Sequence, residues 1–306
     1  MAGNQAVSIN SADVGIALTE HGSDWLWAVF AVLALNAIVH AALTLYNFHR
    51  GEKGVSYLHV GPLCASATLA YAYFTTASNL GWAGVPVEFN HITIGDDERQ
   101  IFYARYIGWF LAFPSVLYLF ELNAAAQHVL ASYNFVEVFH HLILQLTSTW
   151  VFVLGLLIGS LIKSSYKWGY WTFAASALLF ALALLLHRQL FSDVRATTAL
   201  NSIALAFYTV CLILYPVAWG LSEGGNVIQP DSEAVFYGVL DLIVFWIIPW
   251  VVVIDGTKNG TFIDGVSSTA IPRHDVEKNL NSPPELRHSG ETAAHDAPAQ
   301  QTEAQA

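Results

Sequence analysis

Apolar residues run along this chain in long blocks, and polar residues gather in the joints between them. A helix needs about 20 mostly apolar residues to cross a bilayer. Seven stretches qualify, at roughly 25–48, 56–80, 101–124, 135–162, 166–187, 197–221 and 232–254. The joints are short except 81–100, whose Gly, Pro, Val and Thr suit a small hairpin. No internal repeat is visible. The pattern predicts an all-α membrane protein, a seven-transmembrane-helix bundle.

Composition agrees with this pattern. Of 306 residues, 55% are hydrophobic and only 11% are charged, and the mean hydropathy is +0.48. Soluble domains carry about 25% charged residues. The bilayer is therefore the expected partner of most of the surface. A net charge of −11 argues against nucleic acid, which calls for a basic patch. Cys64 and Cys211 both sit in apolar runs and read as small buried hydrophobes, with no disulfide or metal spacing.

Three regions are expected: an extracellular segment 1–22, a membrane domain 23–255, and a disordered cytoplasmic tail 256–306. The first segment lacks Lys, Arg and the apolar stretch of a signal peptide, so the first helix serves as the targeting signal. The tail is rich in Ser, Thr, Pro, Glu, Gln and Ala, with no apolar period. Lys and Arg set orientation. Arg50, Lys53, Arg188, Arg195, Lys258, Arg273, Lys278 and Arg287 fall on one side, against Arg99, Lys163 and Lys167 on the other. The amino terminus is then outside and the carboxyl terminus cytoplasmic. The Asn259-Gly-Thr sequon faces the cytoplasm and stays unglycosylated.

Ionisable side chains inside spans are costly and often mark function. Arg105 lies one turn into the third span, and Asp241 near the middle of the seventh. They are expected to neutralise each other, directly or through tyrosine and water, with Tyr71 and Tyr215 supplying hydroxyls. Glu223 and Glu233 form an outer acidic pair. Whether such a cluster acts or only ties helices together stays open. Glu137, His140 and His141 begin the fourth span; Glu137 and His141 are four apart and could share a metal, though a solvated interface explains them more simply. No metal site is assigned.

These residues carry a family resemblance. Ala104-Arg-Tyr-Ile-Gly-Trp-Phe-Leu-Ala-Phe-Pro114 resembles the third helix of microbial rhodopsins. Tyr215-Pro-Val-Ala-Trp219 resembles the sixth, and Glu233 to Asp241 the seventh. Tyr166-Lys-Trp-Gly-Tyr170 resembles the start of the fifth helix in fungal members. The resemblance implies that Arg105, Trp109, Tyr71, Tyr215, Trp219, Asp241, Glu223 and Glu233 occupy matching places. It also implies departures: Phe245 for the lysine that holds retinal, Gly108 for the proton acceptor, Leu119 for the donor and Leu212 for a tryptophan. Retinal is held as a Schiff base, which needs an amine. Lys53, Lys163, Lys167, Lys258 and Lys278 all lie in joints, at helix ends or in the tail. No cofactor, and no covalently bound retinal, is expected. On the third helix the stripe through Arg105 continues as Gly108, Ala112, Ser115 and Leu119, without a carboxylate, and Glu121 points away from it.

The departures resemble the lysine-less, stress-linked branch of fungal opsin-related proteins. That implies a plasma-membrane protein, chaperone-like or regulatory, with a homo-oligomer or a proton ATPase as candidate partners. Two other readings stand beside it. One is a non-covalent binder of a small apolar ligand such as retinal or a sterol, in a cavity left by Gly108 and Ala112 beside Asp241. The other is a passive ion or proton pathway, against which Leu119 and Leu212 make a dry inner half. An enzyme is not expected, since no nucleophile–base pair or phosphate loop is present.

Overall fold

All seven apolar stretches fold as helices in the computed structural model, which describes residues 4–92, 97–127, 135–192, 195–196 and 198–260, without the side chains of 135–138. The described residues belong to one compact unit, Met1–Ser267. After the short α1 (Ala6–Ile9), the spans are α2 (Glu20–His49), α3 (Lys53–Ala77), α4 (Tyr103–Ala126), α5 (Phe135–Ser160), α6 (Lys167–Phe191) and α7 (Ala199–Trp219). The seventh span is α8 (Pro230–Leu242) continued by α9 (Ile248–Asn259). Helix therefore reaches Asn259, beyond residue 255 where the membrane domain was expected to end. Residues 261–306 of the expected tail lie outside the described residues.

Six of the spans are apolar enough to cross a membrane by length and composition alone. The exception is α3, which is long enough at 25 residues but carries Ser, Thr, His and Tyr. Its polarity is turned inward, with Ser56, His59, Ser66, Tyr73 and Thr76 all buried. The lipid-facing sides are apolar instead, with Leu35, Ile38, Phe173 and Phe207 more than half exposed. Such surface on a folded chain belongs against hydrocarbon.

Two of the helices widen into single π turns, at Gly220–Gly224 after α7 and Ile243–Ile247 between α8 and α9. Pro249 lacks the N–H that the Phe245 carbonyl would accept, which accounts for the second.

The expected hairpin is present: β1 (Ala83–Pro86) pairs antiparallel with β2 (Glu98–Ile101). Gly81 opens it at φ +69°, where an added Cβ would stand 2.7 Å from the Ala104 Cβ. The amino-terminal segment docks beside β2. Ile16 donates to the Glu98 carbonyl and accepts from Gln100 N, both at 2.9 Å. This lid holds β2, and with it Arg99, against the bundle end.

Candidate functional site

Four helices and one strand bring polar side chains together, two of the helices by a four-residue spacing. On α8, Glu233, Tyr237 and Asp241 recur every four residues; Tyr215, Trp219 and Glu223 do so on α7 and its π turn. Arg105, Tyr106 and Trp109 come from α4, Tyr73 from α3, and Arg99 from β2.

The outer layer is a buried quartet of two arginines and two glutamates. Arg105 Nη1 lies 2.5 Å from Glu233 Oε1 and 3.3 Å from Glu223 Oε1. Arg99 Nη2 lies 2.7 Å from Glu233 Oε2. The Arg99 Nη1 donates to Asn226 Oδ1 at 2.8 Å and the Ile228 carbonyl at 2.9 Å. Glu223 also accepts from Tyr106 Oη at 2.8 Å, Tyr237 Oη at 3.3 Å and Ser222 Oγ. The Arg105 guanidinium sits 4.5 Å from the Tyr237 ring centroid. The four formal charges sum to zero, which makes such deep burial tolerable.

The inner layer is Asp241, fully buried. Its Oδ2 accepts from Tyr73 Oη at 2.5 Å and its Oδ1 from Tyr215 Oη at 2.5 Å. Trp109 Nε1 donates to Oδ1 at 2.9 Å. Three neutral donors thus solvate the carboxylate, while the Trp109 and Tyr237 rings, 4.9 Å apart, pack between the layers.

This geometry corrects two expectations. Arg105 does not pair directly with Asp241; it lies one layer away and pairs with the two glutamates. Nor does Tyr71 serve Asp241. Tyr71 is 76% exposed on the lipid side, and Tyr73 makes the bond. Two residues along a helix is about 200° of rotation, so only one of the two can face inward.

Trp219 is buried beside the cluster rather than in it, donating from Nε1 to the Leu156 carbonyl at 3.0 Å. Phe245 is buried in the π turn against Phe113, with ring centroids 5.0 Å apart. Gly108 makes no hollow beside Asp241, because an added Cβ there would stand 2.7 Å from the Ala72 Cβ. The glycine instead lets α3 and α4 approach. It borders a groove of about 580 Å³ on the lipid side, with Tyr71, Ala72, Ile107 and Leu111.

Arg99, Tyr73, Tyr106 and Tyr237 were not foreseen. Tyr237 follows Glu233 by one turn and Tyr106 adjoins Arg105, so spacing held a signal for both. Arg99 had none, since a residue in a joint reads as solvated. Glu121 points away from the Arg105 stripe as expected and pairs with Arg188 Nε at 3.1 Å. Lys167 is buried at the amino-terminal end of α6, with Nζ 3.2 Å from Glu88 Oε2. The Glu137 side chain lies outside the described residues. No group of three metal-binding side chains occurs among those described.

The lysines bear on whether retinal could be held covalently. Lys53, Lys167 and Lys258 stand at helix ends, Lys163 lies between α5 and α6, and Lys278 lies outside the described residues. Phe245 lies in the Ile243–Ile247 π turn, which carries none of the described lysines.

The family described as bacteriorhodopsin-like protein matches residues 22–250. The 30 kDa heat shock protein of Saccharomyces cerevisiae is 38% identical over 310 residues, covering 96% of this chain and 93% of that protein. The opsin-like protein carO of Fusarium fujikuroi is 39% identical over 254 residues, covering 78% and 76%. Among solved structures, the light-driven proton pump LR (Mac) from Leptosphaeria maculans has a TM-score of 0.64 at 24% identity, covering 79% of this chain and 98% of that one. The light-driven proton pump from Coccomyxa subellipsoidea has a TM-score of 0.64, also at 24% identity, covering 78% and 98%. At that identity the likeness concerns the fold.

Proposed function

The chain belongs to the bacteriorhodopsin-like family, and we propose that within it this protein is a retinal-free, opsin-like plasma-membrane protein with a stress-linked regulatory role. The observation that carries the reading is Phe245, buried four residues after Asp241 where the family resemblance implies the lysine. Asp241 is held by Tyr73, Tyr215 and Trp109, with no lysine among its described partners. The cluster keeps the helices in register and does no photochemistry. The heat-shock name of a relative covering nearly the whole chain supports the stress link. The amino terminus is outside and the tail cytoplasmic; candidate partners are a second copy of the chain and a membrane proton ATPase.

A proton pathway is less well supported. Between Asp241 and Asp255 the seventh span carries no ionisable side chain, a rise of about 20 Å. Phe113, Leu119 and Phe245 are fully buried along that stretch of the core.

The reading is tested in a strain lacking the protein, followed through heat shock. Reintroducing it should restore recovery equally in darkness, in cells that make no retinal. Recovery that requires retinal or light would overturn the proposal.

A further inference from the structure

A second polar seam runs between α2 and α3, away from the site above. From the cytoplasmic-side helix ends inward it comprises buried Asn47, then Ser56 donating to the Thr44 carbonyl at 3.0 Å. Thr44 in turn donates to the His40 carbonyl at 2.7 Å. Next come His40 and His59, both buried, with their Nδ1 atoms 2.9 Å apart. Above them Asn36 donates to Ser66 Oγ at 2.8 Å and accepts from Trp250 Nε1 at 2.8 Å. The Trp250 ring lies over His40, with centroids 4.4 Å apart and planes at 32°. His40 Nε2 is buried without a hydrogen-bond partner among the described residues.

We propose that this histidine pair is a proton-sensing site that couples the packing of α2, α3 and α9 to cytoplasmic pH. The geometry sets the direction. Two facing nitrogens 2.9 Å apart hold one N–H between them. A second proton on either Nδ1 puts N–H against N–H. On His40 Nε2 it creates a buried donor with no acceptor. Either way a ring must turn or the helices must part, and the Trp250 stack goes with them. Acidification therefore loosens the seam and neutral pH closes it.

Among the described residues no other charged group compensates. On α9, Asp255 accepts from Asn123, Gln127 and Asn259, and Lys258 is exposed. On α2 and α3, Tyr46, His49, Lys53 and Tyr57 are exposed. On α4, which packs on α3, Glu121 pairs with Arg188 and Tyr118 is exposed. A metal reading fails because no third ligand joins the two histidines among the described residues.

Only the word cytoplasmic rests on the orientation proposed above; the switch itself does not. The test uses the full chain in detergent, where both ends meet the buffer. Melting midpoints and backbone hydrogen exchange, corrected for its intrinsic pH dependence, are read from about pH 8 to about pH 3.5, a range that extends well below ordinary histidine titration. In wild type, exchange across 36–47 and 56–66 should rise severalfold on acidification, and the midpoint should fall by roughly 2 °C or more. Both changes should vanish in His59→Gln. If that variant does not fold, the double variant His40→Phe with His59→Phe makes the same comparison. A variant that keeps the wild-type pH response, or a wild-type seam whose exchange is flat with pH, overturns the proposal.

Discussion

Tyr71 and Tyr73 sit two residues apart on one helix, and only Tyr73 reaches Asp241. Removing its hydroxyl strips a hydrogen bond from a buried carboxylate, a loss of about 1.5–3 kcal/mol. Tyr73→Phe is therefore expected to lower the thermal midpoint clearly, and Tyr71→Phe to leave it nearly unchanged. Equal effects in a melting experiment would contradict the placement. Arg105 differs in kind, because it neutralises carboxylates of Glu233 and Glu223 that are themselves buried. Breaking one partner of a buried ion pair costs about 3–5 kcal/mol. Arg105→Gln should thus reduce stability more than Tyr73→Phe does, and adding Glu223→Gln should restore part of the loss. A double variant no more stable than Arg105→Gln would show that Glu223 is not its partner.

At the scale of elements, the sequence was legible wherever a bilayer dictates length. All seven spans, and the hairpin in the joint at 81–100, follow from apolar runs and turn residues. The site was legible by type: Arg105, Trp109, Tyr215, Asp241, Glu223 and Glu233 do lie together or in adjoining layers. Their pairing was not, because it depends on helix rotation and on β2, whose Arg99 is brought inward by the docked amino-terminal segment. The His40–His59 seam was missed for a related reason. Single histidines in two separate spans carry no spacing signal until the helices meet. Gly81 shows how tightly the hairpin is set. An alanine there meets both a positive φ and the Ala104 side chain, so Gly81→Ala should cost about 1–3 kcal/mol. It should also raise hydrogen exchange in β1 and β2 before it disturbs α5 or α6, and an unaltered hairpin would count against the lid described here.

Over the whole molecule, the arrangement is a bacteriorhodopsin-like bundle with a layered polar cluster buried between its helices. Arginines, glutamates, tyrosines and one aspartate still clamp α3, α4, α7 and α8 together. Phe245, where the family resemblance implies an amine, packs on Phe113. The proposed function rests on Phe245 standing where covalent retinal chemistry needs an amine. Its most direct test is the visible absorption spectrum of protein purified after expression with all-trans retinal, recorded for wild type and Phe245→Lys side by side. Wild type should show no visible band, and Phe245→Lys should gain the band of a protonated Schiff base beside Asp241. A visible band in the wild type that survives washing and is bleached by hydroxylamine would contradict the account.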